Sequence, residues 1–173
     1  MKAYVGIGTN MGDSSANIRC ALGALKAIGG VTEAVCSRIV ESEPWGYDSD
    51  NAYLNAVVAL SFDAPFDPLW LLDRCQEIER SISTGRHRDS EGGYIDREID
   101  IDIIAIDCRV LRLSRLKVPH PLMHRRRFVL EPMLEVAGED WRHPLFGLNI
   151  PAMLRQLDTQ NNTKYTKTCS TQH

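Results

Sequence analysis

Short apolar runs and helical stripes of apolar residues succeed one another along the first 107 residues of the chain. Runs rich in apolar and β-branched residues are typical of strands, whereas apolar residues three or four positions apart are typical of helices. The predicted elements are, in order, a strand over 2–8, a helix from about Ser15 that Gly29 and Gly30 end, a strand over 31–42, a strand over 53–62, a helix that begins at Asp67 and Pro68, and a strand within 96–107. The predicted order is therefore β-α-β-β-α-β.

This order predicts an α+β fold of the ferredoxin-like type, in which helices cover one face of an antiparallel sheet. The later part of the chain predicts C-terminal additions: a short strand or extended arm over 111–121, a helix over 128–137 and a short helix over 151–157. From Asp158 to His173 the chain is polar, which predicts a disordered tail. We expect one domain over 1–157.

A polar segment, Thr84–Asp96, precedes the last predicted strand and reads TGRHRDSEGGYID. Two adjacent glycines and few apolar residues predict a long mobile loop. This loop places Arg86 and Arg88 just ahead of the strand.

The last strand, within DREIDIDIIAID, carries two aspartates two positions apart. Alternation places Ile99, Ile101, Ile103 and Ala105 on one side, and Glu98, Asp100 and Asp102 on the other. Carboxylates at i and i+2 lie roughly 6.6 Å apart along a strand, so they can converge on one ion.

Two acids in that position either form an ordinary solvated strand face or hold a cation, because like charges brought together call for one. Magnesium is bound through one or two carboxylates together with substrate phosphates. Arg97 and the basic residues around it favour the second interpretation. The strand therefore predicts a metal-phosphate site.

Charge is distributed unevenly, although the net charge of the 173 residues is only −3. Residues 1–84 hold 6 Lys or Arg against 11 Asp or Glu, whereas residues 85–127 hold 10 against 7. Basic residues gathered around the aspartate strand favour an anionic ligand. The acidic total disfavours a nucleic-acid partner.

No apolar run approaches 18 residues, and the start MKAYVGIGTN lacks a basic leader followed by an apolar core. We therefore expect neither a membrane span nor secretion. The five cysteines include no Cys-x-x-Cys pair, which favours reduced thiols in the cytoplasm. The glycines of GIGTNMG fit neither a dinucleotide fingerprint nor a P-loop, so we interpret them as a tight strand-to-helix connection.

Eight short motifs, spread over residues 3–137, resemble one known family. They are GTNMG, SEPWG, YLNAVV, QEIE, GRHR, DREIDIDI, LKVPHP and RRRFVLEP, in that order. Together they resemble the 6-hydroxymethyl-7,8-dihydropterin pyrophosphokinases of folate biosynthesis. The resemblance implies a ferredoxin-like fold and transfer of the terminal diphosphate of ATP to the pterin hydroxymethyl oxygen, with release of AMP.

The resemblance also implies roles for individual residues. Two magnesium ions would lie on Asp100 and Asp102, and the catalytic set would be Arg86, Arg97, Asp100 and Asp102. ATP contacts would come from Gln76, Glu79, Arg88, Ile103, Arg115, His120 and Arg126. The pterin pocket would comprise Ser42, Glu43, Trp45, Tyr53, Asn55, Tyr94 and Phe128.

Some of these residues have a plainer interpretation. Gln76 and Glu79 suit an exposed helix face equally well, and Tyr53 and Phe128 suit a core. The chain also departs from the better-known bacterial pattern, with Ser42–Glu43 for Thr-Pro, Trp45 for a smaller apolar residue, Tyr94 for a loop tryptophan and Ile95–Asp96 for Gly-Pro.

Two other functions remain alternatives at this point. An Asp-x-Asp pair also holds the metal of nucleotide-sugar transferases, although the predicted element order does not match their alternating βα units. A non-catalytic ferredoxin-like module would explain the fold but not the arginines near the aspartates. For the pyrophosphokinase function we expect a monomer that acts on two small molecules, ATP and 6-hydroxymethyl-7,8-dihydropterin.

Overall fold

A computed structural model of the chain describes residues 1–44, 51–83 and 96–168, with side chains up to residue 159. Its elements are β1 (Lys2–Thr9), α1 (Ser14–Lys26), β2 (Val31–Cys36), β3 (Val40–Ser42), β4 (Tyr53–Phe62), α2 (Pro68–Ile82), β5 (Asp100–Ile106), β6 (Leu111–Arg112), β7 (Lys117–Val118), α3 (Arg127–Ala137) and α4 (Ile150–Thr168). A short 3-10 helix, Met123–Arg125, precedes α3. Among the described residues, no helix is long and apolar enough to cross a membrane.

The main sheet has the strand order β2-β4-β1-β5, and β3 pairs with the other end of β4. Neighbouring strands of this sheet are antiparallel. The order and direction confirm the predicted ferredoxin-like fold. They also place β1 in the middle of the sheet, with β4 on one side and β5 on the other.

A separate apolar core lies on each side of the sheet, between the sheet and the helices that pack against it. Helices α1 and α2 cover one face with buried residues such as Leu25 and Leu71. The C-terminal additions α3 and α4 cover the opposite face with Leu130, Met133 and Met153. The predicted pair of helices is thus confirmed, and the additions close the second face, which would otherwise expose apolar side chains to water.

The side-chain alternation of β5 breaks in the middle of the strand. Ile101 and Ile103 point into the core under α1 and α2, but Ile104 and Ala105 both lie in the core under α3. The pairing of β5 with β1 shifts register between Tyr4 and Val5, which marks a β-bulge at this point. The prediction that Ala105 shares the face of the preceding isoleucines is therefore wrong.

The strand predicted over 31–42 is divided into β2 and β3. At the break, the backbone N–H of Ser37 donates to the carbonyl of Val57, and the Ser37 hydroxyl accepts from the Val57 N–H at 3.0 Å. The hydroxyl therefore replaces a backbone acceptor where the strand bends. The arm predicted over 111–121 is the two-stranded hairpin of β6 and β7.

The last helix is longer than the sequence predicts. It continues past Asp158, which pairs with Arg127 of α3, and Thr159 donates its hydroxyl to the Arg155 carbonyl at 3.0 Å. The backbone stays helical to Thr168, through polar residues for which the sequence predicts disorder. The domain boundary at 157 stays a prediction.

The N-terminus of helix α2 offers a simple test of the stabilisation that an N-cap residue provides. The Asp67 carboxylate accepts a hydrogen bond from the Leu69 N–H at 2.9 Å, and Pro68 occupies the first helical position. We expect Asp67→Ala to lower the free energy of unfolding by about 1 kcal/mol, the usual value of an N-cap. Asp67→Asn, which keeps an acceptor, should lose much less. Urea denaturation of both variants measures the difference, and equal stability of Asp67→Ala and the unchanged protein would contradict the role of this cap.

Candidate active site

An open cleft lies on the α3 face of the sheet, where the end of β1 meets β3, β4 and β5. Its lining combines apolar side chains with several polar and charged ones, as the lining of a small-molecule site does. The lining includes nine residues predicted for the site: Ser42, Glu43, Tyr53, Asn55, Arg97, Asp100, Asp102, Arg126 and Phe128. The fold therefore brings together residues that are up to 86 positions apart in the sequence.

Two glycines of the central strand form the floor of this cleft. Gly6 pairs with Asp102, and Gly8 lies between Asn55 of β4 and Asp100 of β5. A Cβ atom at Gly8 would meet the Asn55 Oδ1 at 3.5 Å. The missing side chains keep the space between the amide and the carboxylates open.

The sequence interpretation missed this role of the glycines. The predicted strand 2–8 included Gly6 and Gly8, and both belong to β1; but the glycines of this segment were interpreted only as a strand-to-helix connection. Their spacing was the available signal, because residues two apart in a strand lie on the same face.

The two aspartates lie beside two arginines. Arg97 Nη1 is 2.6 Å from Asp100 Oδ1, and Arg126 Nη1 is 4.0 Å from Asp102 Oδ2. Burial raises the pKa of the Asp100 carboxyl, and the Asp102 charge raises it further against the opposing effect of Arg97. Burial also raises the pKa of Asp102, against Arg126 and Arg97.

This donor set fits magnesium. Metal sites built entirely from protein side chains usually need three or more His, Cys, Asp or Glu residues close together. The side chains that the structure describes include no such group. Two carboxylates whose side chains are 35% and 46% exposed can still be reached by an ion. They leave coordination positions for water and phosphate oxygens, as magnesium requires.

Glu79 supports the aspartate strand from the side of α2. Its Oε1 accepts a hydrogen bond from the backbone N–H of Ile101 at 2.6 Å, between the two aspartates. Burial raises the pKa of Glu79 to about 7; the hydrogen bond from Ile101 opposes this shift, and the charges of Asp100 and Asp102 add to it. Glu79 is therefore half-buried and bonded, which differs from a solvated helix face.

Other residues predicted to contact ATP lie outside the lining of the cleft. Arg115 connects the β6–β7 hairpin to α2, through Asp73 at 2.6 Å and Gln76 at 3.2 Å. Ile103 is 3% exposed and packs in the core under α1 and α2. Its side chain therefore faces away from the aspartates, and only its backbone could serve a ligand.

His120 is fixed in a neutral form near the same strand. Its backbone N–H donates to the Ile104 carbonyl at 2.8 Å, and its Nδ1 accepts from the Leu122 N–H at 3.2 Å. Burial lowers the pKa of His120 to about 4, and the charge of Arg126 lowers it further. With Nδ1 accepting, the proton of the neutral ring lies on Nε2, which is then a donor.

The opposite side of the cleft combines a buried amide with aromatic rings. Asn55 is 7% exposed, and its Nδ2 donates to the Ser42 hydroxyl at 2.9 Å. Tyr53 and Phe128 both line the cleft, although Phe128 also packs against the core under α3. The Arg126 guanidinium carbon lies 5.9 Å from the centre of the Phe128 ring, within cation–π distance.

Four predicted site residues, Trp45, Arg86, Arg88 and Tyr94, lie outside the described residues.

Comparison with known proteins agrees with this geometry. The family model of "7,8-dihydro-6-hydroxymethylpterin-pyrophosphokinase (HPPK)" matches residues 4–138. A protein of Porphyromonas gingivalis named 2-amino-4-hydroxy-6-hydroxymethyldihydropteridine pyrophosphokinase is 40% identical over 143 residues, which cover 82% of this chain and 92% of that protein. A protein of the same name from Bacillus subtilis is 34% identical over 137 residues, covering 79% of this chain and 78% of its own length.

A solved structure of an HPPK-DHPS in complex with substrates has the same fold, with a TM-score of 0.66 over 95% of this chain. At 14% identity the likeness shows the fold alone, and this chain spans 44% of that longer chain. The family match and the relatives carry the assignment. The chain belongs to the 7,8-dihydro-6-hydroxymethylpterin-pyrophosphokinase family.

Proposed function

We propose that this protein transfers diphosphate from ATP to the hydroxymethyl group of 6-hydroxymethyl-7,8-dihydropterin, giving AMP and the pterin diphosphate for folate biosynthesis. One observation carries the proposal: a single cleft holds an aspartate pair with two arginines on one side, and a buried amide with aromatic rings on the other. Such a cleft can hold a phosphate chain next to a flat heterocycle. Membership of the family agrees with this reaction.

Asp100 and Asp102 are the proposed ligands of two magnesium ions. Ions held there would supply positive charge to stabilise the oxygens of an in-line displacement. Arg97 and Arg126 lie beside the two carboxylates and would bind phosphate oxygens, for which the guanidinium fork is well shaped. Phosphoryl transfer leaves the protein little covalent work, so alignment and charge stabilisation are its main contributions.

Asn55 is the proposed reader of the pterin edge, because an amide offers both a donor and an acceptor. The carbonyls of Val40 and Tyr53, which accept from its Nδ2 at 3.5 Å, fix the orientation of the amide. Tyr53 and Phe128 would contact the ring faces. Glu43, Trp45 and Tyr94 remain proposed pterin contacts from the sequence, the last two outside the described residues.

The ATP contacts are proposed with different roles. His120 would donate from Nε2 to a phosphate oxygen, and Ile103 would contribute through its backbone. Glu79 would act by holding the aspartate strand, since its carboxylate already binds Ile101. Gln76 and Arg115 would contribute from the junction of α2 with the hairpin. Arg86 and Arg88 are proposed from the sequence alone.

We further propose a monomer in the cytoplasm. Cys20, Cys36, Cys75 and Cys108, the cysteines within the described residues, are free thiols, which supports a reducing compartment. The two alternative functions have less support. A doubly wound nucleotide-sugar domain needs parallel strands, and the main sheet here is antiparallel.

The direct test is product analysis. With magnesium, ATP and 6-hydroxymethyl-7,8-dihydropterin, we expect AMP to form in amounts equal to the pterin diphosphate, and not to form when pterin is omitted. Formation of ADP, or AMP release that does not depend on the pterin, would contradict the proposal.

The aspartates can be tested separately for function and for stability. We expect Asp102→Ala to abolish turnover without lowering the free energy of unfolding, because it removes one of two repelling charges. Asp100→Asn should also abolish turnover; the amide retains a hydrogen-bond acceptor for Arg97. Steady-state rates and urea denaturation measure both effects, with Asp140→Ala, an exposed acid outside the cleft, as the control. Near-normal magnesium-dependent turnover of either variant would refute the metal assignment.

Arg97 and Asn55 should affect different kinetic constants. Arg97→Ala removes charge stabilisation, so we expect kcat to fall by about 10²–10³-fold, as for a lost electrostatic donor. Asn55→Ala removes a contact present before and during transfer, so it should mainly raise the KM for pterin. Steady-state kinetics in which the ATP and pterin concentrations are each varied distinguish these two effects. The roles are wrong if Asn55→Ala weakens ATP and spares pterin, or if Arg97→Ala turns over normally.

Substitution of Gly8 tests whether the floor of the cleft must lack a side chain at this position. A methyl group there would lie at ordinary contact distance, 3.5 Å from Asn55 and 3.8 Å from Tyr53, so the fold should tolerate Gly8→Ala. The methyl group would occupy ligand space, and overpacking of about 1–3 kcal/mol corresponds to a rise in the KM for pterin of ~5- to 150-fold. Gly29→Ala, which meets nothing within 4 Å, is the matched control. An unchanged KM for pterin in Gly8→Ala would show that the ring does not lie over this strand.

A further inference from the structure

One carboxylate joins three separate segments of the chain at the rim of the cleft. Asp96 Oδ1 accepts a hydrogen bond from Asn10 Nδ2 at 2.7 Å, and Asp96 Oδ2 accepts one from Asn51 Nδ2 at 2.6 Å. Asn10 directly follows β1, Asn51 precedes β4, and Asp96 precedes β5. Both oxygens of the carboxylate are therefore bonded to amides from other parts of the sheet.

Asn10 extends this junction to the arginine of the site. Its backbone N–H donates to the Arg97 carbonyl at 3.1 Å, and its side-chain Oδ1 accepts from the Arg97 N–H at 2.8 Å. Asn10 is 6% exposed, so these bonds are shielded from water. The backbone of Arg97 is thus held on both its N–H and its carbonyl, and its side chain reaches Asp100.

Asn51 extends the junction to the opposite side of the cleft. It stands two residues before Tyr53 and four before Asn55, which face the proposed heterocycle position. The backbone carbonyl of Asn51 also lies 3.5 Å from Asn10 Nδ2. The entrance of β4 is therefore fixed to the same two residues that fix Arg97.

We propose that Asp96 is a positioning residue that couples the phosphate side of the cleft to its pterin side. Charge-assisted hydrogen bonds are short and strong, and here one carboxylate sets the distance between the entrance of β4 and Arg97. The inference rests on the proposed function, because it concerns the alignment of those two substrates. A residue with a purely structural role would change only the fraction of folded protein.

The first test is Asp96→Asn. The new amide oxygen can still accept from Asn10, but its NH₂ group then faces Asn51, so the charge-assisted bond is lost and rotation of the Asn51 amide restores at most a neutral hydrogen bond. We expect kcat to fall and the KM for pterin to rise, together about 10-fold in kcat/KM for pterin, the size of one lost charge-assisted hydrogen bond. The KM for ATP should change by less than about twofold, since the aspartate pair is untouched.

The second test exchanges the two groups. Asn51→Asp alone would bring two carboxylates together, so it should be impaired as well. The double variant Asn51→Asp/Asp96→Asn restores a carboxylate opposite an amide, with an amide oxygen still available to Asn10. We expect the double variant to recover most of the lost kcat/KM, which additive damage would not allow.

Asn51→Ala, at an exposed position, removes the same bond with little risk to folding and should show the same rise in the KM for pterin. Thermal denaturation and near-ultraviolet circular dichroism establish that each variant is folded. Unchanged kinetic constants in folded Asp96→Asn and Asn51→Ala would overturn the proposal. A fall in kcat with both KM values unchanged, or no recovery in the double variant, would also overturn it. Absence of pterin-dependent AMP release in the unchanged protein would instead refute the proposed function.

Discussion

The repulsion between Asp100 and Asp102 is the constraint around which the site is arranged. Burial and their proximity on β5 raise the pKa of Asp100 even though Arg97 lies at 2.6 Å, and burial raises the pKa of Asp102. The positive charge of Arg126 opposes the repulsion at Asp102. The hydrogen bond from the Ile101 N–H to Glu79 holds the strand between the two aspartates. A bound cation would relieve the repulsion between the two carboxylates, which suits the proposed magnesium site.

The antiparallel sheet places the aspartate pair and the amide of the cleft on opposite sides of one strand. Because β1 lies between β4 and β5, the amide of Asn55 and the carboxylate of Asp100 stand on either side of Gly8. A larger residue at Gly8 would fill the space between them. The C-terminal helix α3 then completes the wall with Phe128. In the proposed function, the residues for diphosphate transfer and those for pterin recognition are thus separated by the width of one strand.

Local patterns in the sequence were sufficient for most of the strands and helices and for the aspartate face, because each depends on residues two to four positions apart. They failed where the local structure depends on contacts with segments that are far away in the sequence. The bulge that turns Ala105 to the other face depends on pairing with Tyr4 and Val5, and the bend at Ser37 depends on Val57. Glu79 and Asp96 act through partners on other elements, so their contacts have no local signature. Motif order identified most of the residues that line the cleft, but it could not show that the side chain of Ile103 is buried and that only its backbone could serve a ligand.

A crystal structure of the protein with magnesium, a non-hydrolysable ATP analogue and the pterin would test the central claim most directly. The account predicts that carboxylate oxygens of Asp100 and Asp102 bind magnesium at about 2.0–2.1 Å. It also predicts that the pterin edge is hydrogen-bonded to Asn55, with the ring next to Gly8 and Phe128. A pterin bound elsewhere, or magnesium held without these two aspartates, would contradict the account.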